Sequence, residues 1–447
     1  MGEIRAYVHG LMQAKRGAKN MERMEEHVPD FNYQSVQHRL SHSPWEHRPL
    51  MDEVARQADG LLGGSGRTRL VIDDTGIGKK GRHSVGVARQ YSGRAGKVDN
   101  CQIAVCASLA SGQRSTLADV RLFLPEEWTS DKERCIKAGI PEDEIIARSK
   151  ARIALESVRH QRQLGVRFDV VSCDSGYGSQ TPFLHDLDAD GETFVAEVHC
   201  DQRIWVEHPW PHHEGKRPGV KLTQARASQP SQRVDHWAQA QPDTAWRRLK
   251  VRDSDQGWVE VSYLTERVWV IEGDQAKLWW LLVWENPDET HGPDKHGVRT
   301  GPRRHYALSN ASADTDERRL VADGVERNVV ERNFRDAKSE VGMADYQARG
   351  WVAWHHHMAL VMLAMLFLTR EKMHWSGPPE APPLTSGDIV FVLERMLPQR
   401  GYGSPDPQDI QQMLLTRLRK REQDQQRRQQ KTRQTRPPFL PDEIAPT

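Results

Sequence analysis

The chain has 447 residues, enough for two or three domains, and 28% of them are charged with a formal net charge of only +1. That balance excludes a uniformly basic or acidic chain, so any polyanion partner must be read from local clusters. Five cysteines without a CxxC pair fit reduced thiols in a cytosolic protein, and the N-terminus lacks the build of a signal peptide.

Residues 1–66 show apolar residues at three- and four-residue steps and predict helices. The stretch Asn32 to Leu40 reads as a helix whose polar side carries Gln37 and Arg39, either a small DNA-reading element or a helical cap on the next domain. From about residue 67 strands are predicted at Arg69–Asp74, Ser84–Tyr91 and Gln102–Leu109, joined by Gly-rich turns as an antiparallel meander. A helix over 147–164, a strand over 168–173, a short helix over 180–187 and a strand over 193–198 follow. This order is that of an α/β core with a ribonuclease H-like mixed sheet flanked by helices.

Residues 200–315 hold nine of the chain's 14 tryptophans and alternate clearly at 258–263, which reads as a mostly β insertion. Strand texture recurs at 277–284, and 208–218 and 287–305 read as loops. Helical pattern resumes near 316 and includes the apolar run 358–368, eleven residues that are too few to span a bilayer and read as a buried helix. The expected division is therefore 1–66 helical, 67–199 and 316–375 core, 200–315 β insertion and 376–447 a helical, Gln/Arg-rich tail.

Three carboxylates stand out. Asp74 closes the apolar run Leu70–Ile72, Asp174 closes Phe168–Cys173, and Glu331 sits in a helical pattern. Two strand ends and one helix face can converge, and three anions can share a point only if something positive, such as divalent metal, neutralises them. On one helix, Arg327, Glu331, Arg335 and Lys338 would line a single face. Directly after Asp74, residues 75–98 contain six cations (Lys79, Lys80, Arg82, Arg89, Arg94 and Lys97) and no acid, which suits a basic hairpin, either lying along DNA or simply solvated. The tail from Arg417 to Arg436 has nine cations against two acids. Gly76 to Gly81 lacks P-loop spacing, and three consecutive histidines (355–357) cannot ligate one ion from a regular helix, so both read as structural.

Three blocks together carry a resemblance: Val71-Ile72-Asp73-Asp74-Thr75-Gly76, Cys173-Asp174-Ser175-Gly176-Tyr177-Gly178, and Arg327-x3-Glu331-x6-Lys338 with Asp345-Tyr346 beyond. The chain resembles insertion-sequence DDE transposases, in the branch similar to the IS-four group, over about residues 1–375. Gly324 stands where that family's signature has Tyr. The resemblance implies a DNA transposase that binds terminal inverted repeats and performs strand cleavage and transfer with two Mg²⁺, Mn²⁺ substituting. It implies Asp74, Asp174 and Glu331 as catalytic metal ligands, with Arg327 and Lys338 on DNA phosphate. Asp73 competes for the first place, and Asp74 is taken because it directly precedes Thr75. Lys79, Lys80, Arg82, Arg89, Arg335, Gln37 and Arg39 complete the expected DNA contacts. The implied partners are double-stranded repeat and target DNA and a second copy of the chain, in the bacterial cytoplasm at the nucleoid, with no membrane. The rival readings are a nuclease on the same fold and a transposase-derived regulator without catalysis.

Overall fold

Apolar periodicity switches near residue 67 from helical to strand spacing, and the computed structural model follows that switch. It describes residues 2–13, 17, 19–92, 96–210, 227, 229–254, 257–273, 275–290, 302–375, 382–401 and 406–435. The expected loop residues 211–218 and 291–301, Arg94 and the end of the tail from 436 lie outside the described residues.

Four helices come first: α1 (Gly2–Gln13), α2 (Met21–His27), α3 (Tyr33–Ser41) and α4 (His47–Leu62). Asn20 and Asn32 cap α2 and α3 by accepting the backbone N–H of Arg23 and Ser35. Next are β1 (Thr68–Gly78), β2 (Ala88–Ser92), β3 (Lys97–Ser111), β4 (Arg114–Phe123), α5 (Glu126–Thr129), α6 (Lys132–Lys137) and α7 (Lys150–Gln163). A second stretch holds β5 (Val170–Cys173), α8 (Ser175–Gly178), α9 (Thr181–Ala189), β6 (Phe194–Glu197), β7 (Arg203–Ile204), β8 (Gln232–Arg233), α10 (Val234–Gln239), β9 (Arg247–Ser254), β10 (Gly257–Glu272), β11 (Gln275–Thr290), β12 (Pro302–Ser309) and α11 (Glu317–Glu326). The chain closes with α12 (Val329–Glu340), α13 (Trp351–His374), α14 (Ser386–Met396) and α15 (Pro407–Thr435). Contacts divide it into one unit of residues 1–168 with 328–424 and another of 169–327 with 425–447. The class is mixed α/β with sheets flanked by helices, as an RNase H-like core requires.

In the first unit β3 is the centre. It pairs antiparallel with β1 from Thr68↔Ser111 to Gly78↔Cys101, with β4 along its inner part and with β2 at its outer end. Two expectations change here. Residues 84–87 are not strand: Gly86 holds φ +70°, a turn conformation, and pairing starts only at Ala88. Strand β4 was not foreseen, because a register shift at Ala107/Ser108 and the charged Asp119 break its alternation.

Asp119 is fully buried and links elements of this unit. Arg48 of α4 and Arg121 each donate to its carboxylate at 2.8 Å, and Ser157 of α7 donates at 2.8 Å. One buried anion thus ties two helices to the sheet. Burial alone would raise its pKa, but the two guanidiniums overcome that and hold it well below the usual range.

Helix α13 is long and apolar enough to cross a membrane, yet 83% of its apolar window is buried within the protein. Its three histidines are structural, as expected from their spacing. His355 Nδ1 meets Trp351 O at 2.9 Å, His356 meets the carbonyls of Leu40 and Trp45 at 2.8 and 2.7 Å, and His357 Nδ1 meets the Tyr7 hydroxyl at 2.8 Å. Burial drives His357 down to about 3, so it packs as a neutral ring. In α15, Arg417 and Arg421 both donate to Asp388, itself 1% exposed and part of the Thr385 capping box of α14. The helical part of the tail is thereby fastened at its start.

In the second unit β5 and β6 run parallel, and β6, β12, β11, β10 and β9 continue antiparallel. Leu249, Val261, Tyr263, Leu282 and Trp284 from this sheet pack with Leu320, Val321 and Val325 of α11. The β texture read from the tryptophans is thus observed. Part of the expected loop 287–305 is strand instead, because β11 runs to Thr290 and β12 starts at Pro302. Of the nine tryptophans, Trp237, Trp279 and Trp284 are buried and Trp258 is 41% exposed.

Replacing Asp119 by Asn should cost about 3–5 kcal/mol in denaturant unfolding, since it leaves two guanidiniums facing a neutral amide. The sign with pH follows from the depressed pKa. The wild-type contribution is complete above the ordinary carboxylate value of 3.8 and is lost as pH falls below it. Asp119→Asn should therefore flatten the acid limb of the stability curve, and an unchanged limb would refute this role for Asp119.

Candidate active site

Successive strand side chains point to opposite sides of a sheet, and directly opposed antiparallel residues share a side. On β1, Asp74 stands opposite Val105, which stands opposite Arg121, whereas Asp73 stands opposite Cys106 and then Val120. The two adjacent acids therefore face different helices. Helix α7, capped by Ser149, covers the Asp74 side: Lys150 Nζ donates to Asp74 Oδ2 at 2.8 Å. Helix α12 covers the Asp73 side: Asn333 Nδ2 donates to Ser108 Oγ at 2.9 Å, and Ser108 stands opposite Val71. The Cys106 thiol, opposite Asp73, is driven well up by burial and then by the Asp73 charge.

Glu331 lies in the first turn of α12 and is exposed. Lys338 follows seven residues later, which returns to within about 20° of the same direction on a helix. Its Nζ donates to the carbonyl of Gly76 at 2.9 Å, so the flank bearing Glu331 and Lys338 is the one that meets β1. The structure thus places Asp73, not Asp74, on the side of the sheet that carries Glu331. Strict alternation along 70–76 carries this information, but only once the position of α12 is known. Lys150, the partner of Asp74, was missed because nothing local in the sequence links it to residue 74.

Asp174 caps α8 in the second unit, its Oδ1 accepting the N–H of Gly176 at 3.0 Å and of Tyr177 at 3.4 Å. Arg327 is not on the Glu331 helix. It ends α11, whose successor begins at Val329, so the expected single face from 327 to 338 is interrupted by a two-residue turn. The tight step shows in Arg327 N bonding Gly324 O three residues back. Arg327 donates to Glu197 at 2.7 Å and is 11% exposed. Burial would raise Glu197, but the hydrogen bond from His305 and the charge of Arg327 hold it down to about 2. The indole of Trp284, stacked on His305, fills the space beside Gly324: a Cβ there would lie 2.9 Å from it. A bulky ring at 324 therefore has no room in this chain.

The expected DNA contacts divide as well. Lys79 turns inward, its Nζ donating to Tyr346 O at 2.8 Å and lying 4.0 Å over the Tyr346 ring. Burial lowers it to about 8, against the pull of Asp345. That sets it apart from the exposed cations expected on DNA. Arg39 bonds Ser43 Oγ at 2.9 Å, and Gln37 approaches Ser41 Oγ at 3.5 Å, so both are engaged within α3 and the turn after it. Lys80, Arg82, Arg89 and Arg335 are exposed.

Among the described residues no three His, Cys, Asp or Glu side chains stand together as a metal cluster. The donor chemistry still suits a hard divalent ion, since Asp73 and Glu331 offer only carboxylate oxygens. Magnesium typically takes one or two protein carboxylates and completes its shell with water and substrate phosphate.

An α/β core with a mixed sheet, a strand-borne acid and a helix-borne glutamate on one side of it defines the RNase H-like class. Sequence comparison is more specific: the model of the family described as DDE superfamily endonuclease matches residues 1–257, more than half of the chain. The chain belongs to that family. A probable transposase for insertion sequence element IS701, from Microchaete diplosiphon, is 29% identical over 176 residues, which are 39% of this chain and 43% of that protein. The match thus spans less than half of the relative's length. Asp73, Asp74 and Asp174 lie within the family match and Glu331 lies beyond it.

The inward and outward lysines should separate in a binding titration against salt. Lys80→Ala should lower the salt slope for duplex DNA by about 1, whereas Lys79→Ala should leave it unchanged. Equal slopes for both variants would show that Lys79 reaches DNA after all.

Proposed function

We propose that the chain is an insertion-sequence transposase that cuts DNA at terminal inverted repeats and joins the freed 3′ ends to a target. Membership of the DDE superfamily endonucleases supports a nuclease chemistry. The observation that carries the site assignment is that β1 presents Asp73 on the side covered by the Glu331 helix. That supports Asp73 and Glu331 as two of the acids, with Asp74 as the strand's partner for Lys150; Asp174 joins them on the sequence resemblance alone.

Enzymes of this superfamily are generally dependent on divalent metal. Two Mg²⁺, with Mn²⁺ as substitute, would be held by the three acids and would supply charge neutralisation and activation of the attacking oxygen. The protein's share is positioning. Lys338 fixes α12 to the end of β1 through Gly76 O, which sets the height of Glu331 over the strand. Lys150 draws Asp74 toward α7, which keeps a second negative charge off the Asp73 side. Arg335, Lys80, Arg82 and Arg89 supply exposed cations for phosphate; Gln37 and Arg39 of α3 would join them by exchanging Ser41 and Ser43 for DNA. Two ends must be handled together, which calls for a homodimer on DNA in the bacterial nucleoid. A nuclease that only cuts is the nearest rival. It is separated by supplying pre-cut ends with a target duplex and looking for joined product. A regulator without catalysis would bind the ends and produce neither product.

In a cleavage assay with Mg²⁺, Asp73→Asn, Asp174→Asn and Glu331→Gln should each lose about 1000-fold or more in rate while still binding DNA. Asp74→Asn should stay within about tenfold of wild type. The reverse pattern at 73 and 74 would return the metal to Asp74.

A further inference from the structure

Tyr91 is 61% exposed, more than any other large apolar side chain among the described residues, and it stands directly opposite Val98, which is 51% exposed. We infer that the β2–β3 hairpin is a wedge that enters stacked DNA through Tyr91 and Val98 and bends it. This deepens the DNA-acting reading above and rests on it.

The register decides which side chains act together. Arg89↔Asn100 and Tyr91↔Val98 alternate onto one face of the ribbon, while Gln90, Asp99 and Lys97 occupy the other. The Tyr91 face therefore combines a cation, an aromatic ring and a branched apolar side chain, with no carboxylate among its paired residues. The hairpin's acid, Asp99, is on the opposite face, where its Oδ1 accepts the N–H of Asn100 at 2.8 Å. Exposed Lys97 lies at the far end of the pairing, and exposed Lys80 and Arg82 lie in the loop leading to the hairpin. An apolar pair with Arg89 on its own face, and further cations on the same ribbon and its leading loop, suits bases inside a phosphate frame, and a two-stranded ribbon fits a DNA groove.

The base of the ribbon is held firmly. Asn100 Nδ2 donates to Lys79 O at 2.5 Å and Gly81 O at 3.0 Å, and Lys79 N donates back to Asn100 O at 2.9 Å. Gln90 Nε2 donates to Cys101 O at 2.8 Å. Lys79 in turn is anchored on Tyr346. A wedge needs such a base, because unstacking a base step works only if the inserted group does not fold away. The cleft beside the hairpin, about 990 Å³, is a weaker seat for DNA, because Glu127, Asp131 and Glu133 line it among the cations Arg82, Arg89, Arg134 and Lys137.

The test uses the full chain and a duplex of about 30 bp carrying a fluorescence donor and acceptor at its two ends, with a second duplex bearing a central two-base mismatch. Wild type should raise energy transfer and bind the mismatched duplex roughly tenfold more tightly, since the unstacking is already done there. Tyr91→Ala should abolish both the bend and the preference, Tyr91→Phe should keep both, and Arg89→Ala should weaken binding to the two duplexes equally. Thermal melting shows that each variant is folded. A Tyr91→Ala protein that still bends DNA, or a Tyr91→Phe protein that does not, overturns the wedge. So does a Tyr91→Ala protein that becomes monomeric with its DNA response intact, which would make the face a contact between copies. If wild type binds neither duplex, the DNA reading itself fails; if it binds both without bending, only the wedge does.

Discussion

The alternation of side chains about a strand is the constraint on which the site depends. Asp73 and Asp74 are covalent neighbours with the same charge, yet the pleat sends one toward α12 and the other toward α7. Two carboxylates pointing the same way would raise each other's pKa and compete for the same cation. Separated by the sheet, each meets its own surroundings. Lys150 engages one, and the other is left on the side from which Glu331 approaches. A slip of one residue in the β1–β3 register would exchange their sides, and eleven paired positions from Thr68 to Gly78 hold that register.

Charge placement elsewhere follows one pattern: a buried acid held by arginine. Asp119 has Arg48 and Arg121, Glu197 has Arg327, and Asp388 has Arg417 and Arg421. Each such group ties elements distant in sequence, since a planar guanidinium reaches a carboxylate without losing its charge to burial. The near-zero net charge of the chain is thus partly the sum of internal pairs. Cations counted along the sequence overstate what is available to a polyanion.

That is why the fold was more legible than the site. Helices α3, α7 and α13, the start of β1, the end of β5 and the β texture of the insertion are set by local periodicity, which a sequence displays directly; β1 runs on to Gly78, four residues past its expected end at Asp74. Strand β4 was hidden because a register shift and a buried Asp interrupt its alternation. The helix drawn from Arg327 to Lys338 was too long, since nothing in Glu326-Arg327-Asn328 marks a turn and the space beside Gly324 is taken by Trp284, forty residues earlier. Asp174 and Glu331 are visible in sequence as acids after a strand pattern and in a helix pattern. Which of Asp73 and Asp74 shares a side of the sheet with Glu331 is not visible there, because it requires knowing which helix covers which side.

The same limit applies to the basic residues after Asp74. Six cations in a row of turns and strands look alike in sequence, yet the fold treats them differently. Lys79 is drawn under Tyr346, whereas Arg89 is carried outward by the ribbon. A buried lysine held near 8 by desolvation gives the hairpin a fixed root, and its charge is spent on a carbonyl and a ring. The outward residues can then act from a rigid base. Rigidity at the root and exposure at Tyr91 come from the same short stretch of chain, because Asn100 belongs both to the ribbon and to the loop that Lys79 anchors.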